Sequence, residues 1–276
     1  MEITVLSLFD GMSCGQIALN QLGLQPAHYY AAEIKKHAIK VTLANYPDTI
    51  EIGDVRKVSY RNGVLFTEAG EYEAGRIDLL IGGSPCQDLS IQMADRKGLA
   101  GDKSSLFWEY VRILKEVKPR FFLLENVASM PTHDAAIITK TMGVAGVCIN
   151  SALVSAQSRN RYYWTNIPGT GSDLFNSGII EQPADRKIMA KDILEHGHTD
   201  RKKFFCLTAR GGGGVGRIST KTKSIKPTTY RSSYYTDTEK ALTISYMKTA
   251  LLGCFHAVKW NGCKQCRTAT QIASAK

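Results

Sequence analysis

The sequence predicts an α/β fold built on a mostly parallel β-sheet, followed by a smaller basic domain. Short apolar runs alternate with longer amphipathic segments through the first half of the 276-residue chain, which is the pattern of β-α-β units. Glycine-containing turns follow several of these runs. After about residue 168 the alternation stops and basic residues dominate, so we expect a domain boundary there.

The apolar runs and their flanking residues locate the individual elements. Strands are predicted at residues 3–9, 28–33, 76–82, 121–124 and 161–164, with a further strand ending near Gly53. Helices are predicted at residues 15–22, 34–45 and 106–117. The second helix stops at Tyr46-Pro47 and the third before Pro119, because proline lacks a backbone N–H and disfavours a helical residue before it. In such sheets the active residues gather at the carboxyl ends of the strands.

Composition excludes several classes of protein. Hydrophobic residues make up 43% of the chain and charged residues 22%, a balance that excludes a wholly disordered protein. No uninterrupted apolar stretch approaches the ~18 residues of a membrane span, and the start of the chain lacks the pattern of a secretion signal. Seven cysteines, an odd number, favour a reducing compartment over a disulfide framework. We therefore expect a cytoplasmic protein without a membrane span.

Charge is distributed unevenly along the chain. Residues 1–150 carry 15 Lys and Arg against 17 Asp and Glu, whereas residues 151–276 carry 20 against 8, a balance of +12. Nine basic residues lie between positions 201 and 231, interleaved with aromatic residues. This split predicts that a polyanion such as a nucleic acid docks on the C-terminal half, although a solubilising surface would have the same charge. The candidate contacts are Arg201, Lys202, Lys203 and Arg210.

A glycine-containing turn after the first predicted strand is a candidate binding site. Gly11 and Gly15 precede or open a helix, where free backbone N–H groups can meet a ligand. The middle glycine of the G-x-G-x-x-G motif is missing, which disfavours a nicotinamide enzyme. Glu33, at the end of the second strand, can accept hydrogen bonds from ribose hydroxyls, and Asp54 could meet an adenine amino group. This arrangement is typical of a site for a nucleoside cofactor.

Three further segments carry groups suited to covalent chemistry. Cys86 lies on a tight Gly-Gly-Ser-Pro-Cys loop directly after an apolar strand, where a nucleophilic thiol would be accessible. Glu125 ends another apolar strand and could donate a proton. Arg159 and Arg161 share one face if their segment is extended, so that they could bind a carbonyl oxygen or a phosphate.

These segments, in this order behind the Phe-x-Gly turn at Phe9, resemble the DNA (cytosine-5) methyltransferases. The resemblance covers roughly residues 3–168. The runs that begin at Pro85, at Arg96 and at Val154 are especially similar to the animal de novo branch. The chain has no room for that branch's chromatin-reading domains. We therefore expect a stand-alone bacterial or phage enzyme of restriction–modification type, in the cytoplasm of a bacterium or a phage-infected host cell.

The resemblance implies a Rossmann-like S-adenosylmethionine-dependent methyltransferase fold and a mechanism. The thiolate of Cys86 would attack carbon 6 of a cytosine flipped out of double-stranded DNA, and Asn126 would order its loop. Glu125 would hold and protonate N3, while Arg161, with Arg159 near it, would bind O2. Carbon 5 would then take the methyl group of S-adenosylmethionine. The residues that the resemblance assigns to the cofactor are Phe9, Asp10, Gly11, Ser13, Glu33, Ile34, Asp54, Val55 and Leu106. Further DNA contacts are expected at Gln87 and Ser90, and no metal site is predicted.

The resemblance also divides the chain. It implies a catalytic and cofactor-binding domain at residues 1–168, a target-recognition region at 169–243 and an atypical C-terminus at 244–276. The family's closing motif and helix do not follow Lys240. A truncated or diverged end would explain their absence. We expect weaker binding of the cofactor as a result. Two other functions stay open, namely the same chemistry on a tRNA cytosine and a catalytically impaired DNA-binding homologue. The recognition sequence, an accompanying nuclease and the oligomeric state stay open as well.

Overall fold

The computed structural model describes residues 2–85, 106–167, 180, 182–193, 198–199, 201–204 and 218–219. The strands are β1 (Thr4–Leu8), β2 (His28–Ala32), β3 (Ile50–Glu51), β4 (Ser59–Arg61), β5 (Val64–Thr67), β6 (Gly70–Glu73), β7 (Leu79–Gly82), β8 (Phe121–Val127), β9 (Val147–Asn150), β10 (Asn160–Thr165), β11 (His198–Thr199) and β12 (Ile218–Ser219). The helices are α1 (Cys14–Gln21), α2 (Lys36–Asn45), α3 (Leu106–Val117) and α4 (Thr132–Met142). Short 3₁₀ turns lie at Val55–Lys57, Ser151–Leu153 and Ala190–Ile193.

Seven of the described strands form one sheet in the order β3-β2-β1-β7-β8-β10-β9. Neighbouring strands from β3 to β8 pair in parallel, and β10 runs antiparallel to both β8 and β9. Helix α4 connects β8 to β9 along the chain, and β9 lies one position away from β8 in the sheet. Residues 151–159 then reverse the chain, so that β10 lies between β8 and β9. The predicted α/β class with a mostly parallel sheet is confirmed.

Side chains of the central strands alternate between two apolar cores. On one face of the sheet, Leu8 packs in a cluster with Tyr110 of α3 and Ile138 of α4. On the other face, Val5 packs in a cluster with Leu19 of α1. Each fully buried side chain of this size contributes about 1.5–3 kcal/mol. Burial on both faces explains why these strands are continuous apolar runs in the sequence.

Most predicted elements lie within three residues of the described ones. The strand predicted at residues 121–124 is longer and runs to Val127. Glu125 therefore lies inside β8 and not at its end, because β10 pairs with this part of the strand, from Arg161 opposite Val127 onward. That pairing joins segments distant in sequence, so a local apolar pattern did not indicate it.

A small antiparallel sheet, β4-β5-β6, was not predicted. Its strands are only three or four residues long, which is too short for a clear alternation of polar and apolar residues. Asn62 and Gly63 join β4 to β5 with φ angles of 50° and 86°, and Asn-Gly is the strongest short signal of a hairpin. Helix α4 and strand β9 were also missed.

Several described residues beyond position 168 contact the part of the chain that precedes it. Ile180 is buried in the core on the α1 face. Backbone hydrogen bonds join Phe204 to Ala156 and Ser158, and β11 pairs with β12. The division of the chain at residues 168 and 243 stays a prediction, and residues 244–276 lie outside the described part. No helix in the described ranges is long and apolar enough to cross a membrane.

Candidate active site

One edge of the large sheet collects the predicted cofactor and catalytic segments. Residues 9–13 follow β1, Glu33 follows β2 and Gly83 follows β7. Since β10 runs in the opposite direction, its first residues lie at the same edge, where Arg161 pairs with Val127 of β8. The topology alone therefore brings these distant parts of the sequence together.

The turn after β1 has an unusual backbone. Phe9, Gly11 and Ser13 have φ angles of 57°, 65° and 56°, a region that residues with a side chain rarely adopt. Such strain persists only where the surroundings hold it, and it is common at ligand-binding sites. Thr42 of α2 contributes by donating a hydrogen bond from Oγ1 to the Gly11 carbonyl at 3.3 Å.

Asp10 holds this turn from inside. Its Oδ1 accepts hydrogen bonds from Oγ of Ser7 at 2.6 Å and from the Tyr29 hydroxyl at 2.7 Å. Its Oδ2 accepts one from Oγ of Ser13. Burial raises the pKa of Asp10, and these three hydrogen bonds lower it. The carboxylate predicted to line the cofactor is thus engaged by the protein itself.

Glu33 is buried at the end of β2 and connects three backbone N–H groups. Its Oε2 accepts the N–H of Gly11, and its Oε1 accepts those of Ile34 and Lys35, each at 2.9 Å. A carboxylate offers about four acceptor positions, so one remains on Oε2 for a ligand hydroxyl. The adjacent Ile34 is 62% exposed. A polar acceptor and an open apolar side chain therefore lie side by side.

Asp54 precedes the 3₁₀ turn Val55–Lys57 and is paired with Arg56. The guanidinium and the backbone N–H of Arg56 contact its carboxylate at distances of 2.5–3.0 Å. The side-chain hydrogen bond from Arg56 is the largest cause that lowers the pKa of Asp54. The two apolar contacts predicted nearby belong to the core, since Val55 is buried there and Leu106 packs against it.

Glu51, at the end of β3, is a residue that the sequence reasoning missed. It is in register with Ala31 of β2, and both of its carboxyl oxygens are buried without a hydrogen-bond partner among the described residues. Burial, followed by the charges of Asp10 and Glu33, raises its pKa to about 7. An acidic residue between two isoleucines was the available signal.

We expect Glu51→Gln to change how stability depends on pH. The pKa of Glu51 is raised from 4.5 to about 7, so the folded chain retains a proton there that the unfolded chain loses, and stability falls as pH rises through this window. The variant avoids that loss. Relative to the wild type, the free energy of unfolding of the variant should rise by about 1 kcal/mol between about pH 4 and about pH 8. This figure allows for the partial exposure of the Glu51 side chain. Urea unfolding measures the gain, with the exposed Glu71→Gln as control; a gain that does not depend on pH would contradict it.

Glu125 and Arg161 form an ion pair across β8 and β10. Nε of Arg161 lies 2.6 Å from Oε1 of Glu125. Glu125 is opposite Tyr163, and Arg161 is opposite Val127, so the pair is a diagonal cross-strand contact. Both side chains are largely buried, and the lower local dielectric strengthens their attraction. The structure thus brings together two of the residues predicted to bind the cytosine ring.

The loop that leads to Cys86 passes close to Glu125. A Cβ added to Gly83 would lie 2.8 Å from Oε2 of Glu125, which is closer than real Cβ atoms come. A residue without a side chain is therefore needed at position 83 for this approach. The predicted site residues that lie outside the described part of the chain are Cys86, Gln87, Ser90 and Arg210.

Asn126 anchors the described part of the same loop. Its Nδ2 donates to Oγ of Ser84 at 3.1 Å and to the Ser84 carbonyl at 3.4 Å. Its Oδ1 accepts the N–H of Val127 at 2.7 Å. The side chain is buried, so these bonds are shielded from water. Asn126 therefore anchors the loop at Ser84, and its predicted effect on Cys86 stays a prediction.

Gly83→Ala should lower kcat about tenfold to hundredfold, because the new methyl group would push the Glu125 carboxylate out of place. Initial-rate methylation assays measure this effect. The loss should be much smaller in a Glu125→Gln background, since both changes act through the same group. Full additivity of the two losses would show that Gly83 does not act through Glu125.

Arg159 lies just before β10, two residues before Arg161. Its backbone N–H donates to Oδ1 of Asn150 at 3.1 Å. Burial raises the pKa of the Cys14 thiol to about 12, and the charge of Arg159 acts in the opposite direction.

Lys203, one of the predicted DNA contacts, binds backbone carbonyls of its own chain. Its Nζ donates to the carbonyls of Ala152 at 2.6 Å, Ser155 at 3.0 Å and Ile188 at 2.5 Å. These bonds use all three donors of the ammonium group. A phosphate could bind it only after one of them breaks. Arg201 and Lys202 are exposed.

Comparisons with known proteins show which proteins this chain is similar to. The sequence profile of the C-5 cytosine-specific DNA methylases matches residues 3–203. The chain is 32% identical over 207 residues to the orphan methyltransferase M.SPRI of Bacillus phage SPR, covering 71% of this chain and 43% of the phage protein. It is 28% identical over 262 residues to the type II methyltransferase M1.ScrFI of Lactococcus lactis subsp. cremoris, covering 86% of this chain and 63% of the relative.

A solved structure shares the fold. It is a chain described as a DNA modification methyltransferase encoded within an E. coli prophage, with a TM-score of 0.52, 22% identity, and coverage of 72% of this chain and 56% of that chain. The predicted Rossmann-like methyltransferase fold is thereby confirmed. The chain spans about half the length of the phage relative. Because the family profile covers most of the sequence, this chain belongs to the C-5 cytosine-specific DNA methylase family.

Proposed function

We propose that this chain transfers the methyl group of S-adenosylmethionine to carbon 5 of a cytosine in double-stranded DNA. The observation that carries the proposal is the 2.6 Å ion pair of Glu125 and Arg161, beside the loop that leads to Cys86. Family membership supports the reaction. The relatives are named as an orphan methyltransferase of a phage, a type II methyltransferase of a bacterium and a DNA modification methyltransferase of a prophage. They also support action in the cytoplasm of a bacterium or a phage-infected cell.

The residues at the ends of β1, β2 and β3 fit this cofactor. Glu33 keeps one acceptor position for a ribose hydroxyl, and the exposed side chain of Ile34 would pack on the purine ring. Asp54 would accept a hydrogen bond from the adenine amino group. Asp10 would act through the backbone of the turn, because its carboxylate is engaged by side chains of this chain. When bound, the cofactor supplies an electrophilic methyl group.

The proposed chemistry assigns one role to each residue around a flipped cytosine. The Cys86 thiolate forms a bond to carbon 6, and the electron pair of the C5–C6 double bond moves toward N3. Glu125 delivers a proton to N3, while Arg161 holds the Glu125 carboxyl and binds O2. Arg159 adds positive charge near O2. After carbon 5 has been methylated, a water molecule takes the C5 proton. The Cys86 sulfur then leaves as a thiolate and N3 returns its proton to Glu125, which restores the double bond.

A methyl-transfer assay on matched duplex DNA and tRNA tests the proposal. We expect tritium from labelled S-adenosylmethionine to enter DNA, with 5-methylcytosine then located by bisulfite sequencing. Labelling of tRNA alone would favour the RNA alternative. Labelling of neither, with normal DNA binding, would indicate the impaired homologue.

Lys202→Ala and Lys203→Ala should have different consequences. If the exposed Lys202 contacts a phosphate, its loss lowers the slope of log affinity against log salt by about one. Lys203→Ala should leave that slope unchanged and lower the free energy of unfolding by about 1–3 kcal/mol, because three partly buried carbonyls lose their donor. Salt titrations of DNA binding and urea unfolding measure the two effects. A wild-type slope for Lys202→Ala would place Lys202 away from the phosphates.

A further inference from the structure

Arg56 contacts the carboxylate of Asp54, which the proposed function assigns to the adenine amino group. Its backbone N–H and its Nε each lie 3.0 Å from Oδ1 of Asp54. Its Nε and Nη2 lie 3.0 Å and 2.5 Å from Oδ2. A carboxylate offers about four acceptor positions, and these contacts use them. An adenine amino group can therefore bond to Asp54 only if the guanidinium moves.

The two partners differ in their freedom to move. The side chain of Asp54 is 13% exposed, whereas that of Arg56 is 64% exposed. The backbone N–H of Asp54 donates to Oε1 of Glu68 at 3.0 Å, and Glu68 pairs with Lys57 at 2.5 Å. Gly53 lies against the carboxyl group of Glu68, since a Cβ added to Gly53 would clash with Oε1 of Glu68. The loop under Asp54 is thus held in place, and the exposed guanidinium is the part that can leave.

A displaced guanidinium would still lie among acidic groups. The hydrogen bond to Asp54 is the largest cause that raises the pKa of Arg56, and the charges of Glu109 and Glu68 also raise it. The Arg56–Asp54 pair is exposed on the arginine side, and water screens such pairs. Displacement of Arg56 is therefore a small energetic step.

We propose that Arg56 moderates the purine preference of the cofactor site, covering Asp54 in the free chain and giving way to the 6-amino group of adenine. This rests on the proposed function, which places adenine at Asp54. A purine without the amino group does not compete for Asp54 and leaves the pair intact. Arg56 thus competes with the amino group for this acceptor and lowers the affinity that the amino group adds.

The test compares S-adenosylhomocysteine with its analogue carrying hydrogen in place of the 6-amino group. Both lack the sulfonium charge of the cofactor, so removing a charge from the protein has little direct effect on them. Isothermal titration with the full chain should show two- to fivefold tighter S-adenosylhomocysteine binding by Arg56→Ala, about the contribution of an exposed ion pair. The analogue should bind as it does to the wild type.

Lys57→Ala is the matched control, because it removes the same charge from the same turn but pairs with Glu68 and not with Asp54. It should affect the two ligands equally. Unchanged or weaker S-adenosylhomocysteine binding by Arg56→Ala would overturn the proposal, and so would equal tightening of both ligands.

Asp54→Ala separates this outcome from a failure of the proposed function. It should weaken S-adenosylhomocysteine binding and abolish the preference over the analogue. If Asp54→Ala binds both ligands as the wild type does, adenine does not contact Asp54, and the proposed cofactor placement fails together with the role of Arg56.

Discussion

Replacement of Cys86 by alanine is expected to lower methyl transfer by more than about four orders of magnitude, because the covalent route through carbon 6 is lost. DNA affinity should stay largely intact, since the thiolate acts in the chemical step and not in docking. Single-turnover assays with labelled cofactor measure the rate, and gel-shift titration measures DNA binding. A variant that retains more than a few per cent of the wild-type rate would exclude Cys86 as the nucleophile.

A trapping experiment makes the same prediction sharper. The wild type should form a covalent adduct with DNA that carries 5-fluorocytosine, because fluorine on carbon 5 cannot leave as a proton. Cys148→Ala is the matched control, since Cys148 is an exposed free cysteine on β9. This variant should keep both the adduct and the activity, whereas Cys86→Ala should lose both. If Cys148→Ala lost the adduct and Cys86→Ala kept it, the nucleophile would be Cys148 and not Cys86.

Glu125→Gln is expected to lower kcat by about two to four orders of magnitude, the usual range for a lost general acid. Glutamine has nearly the same size, so it preserves packing beside Gly83, but it cannot deliver a proton as a carboxylic acid does. It also removes the negative partner of Arg161. Steady-state kinetics with saturating cofactor measure the change, and a decrease of less than tenfold would contradict the assigned role.

The control for this variant is Glu109→Gln. Glu109 also forms an ion pair with an arginine, Arg112, at 2.7 Å, and its side chain is 29% exposed against 27% for Glu125. The control pair lies on α3 and contains none of the predicted catalytic residues. Glu109→Gln should therefore retain kcat close to that of the wild type, and a similar loss in both variants would indicate general destabilisation.

Several site residues have surroundings that the motifs did not indicate. The Asp10 carboxylate was predicted to line the cofactor, yet it is engaged by Ser7, Ser13 and Tyr29. Lys203 was predicted to contact DNA, yet its ammonium donates to three carbonyls. In both cases a polar group is satisfied inside the fold, because leaving a buried partner without a hydrogen bond costs free energy. A sequence motif names the residue type but not the donor or acceptor that folding places next to it.

The sequence by itself determined the α/β class, the family and the residue types available for chemistry. Strands buried on both faces are continuous apolar runs, and the Cys86 loop, Glu125 and Arg161 occur in a specific order, so local patterns were sufficient. Only the tertiary structure decided that Arg161 pairs with Glu125, that Gly83 touches that carboxyl and that Arg56 covers Asp54. The first two contacts join segments far apart in the chain and depend on the pairing of β10 with β8 and on the approach of the loop after β7. The contact between Arg56 and Asp54 depends on the geometry of their turn. That geometry is not evident from two neighbouring residues in the sequence, because Glu68 holds the backbone at Asp54 in the folded chain.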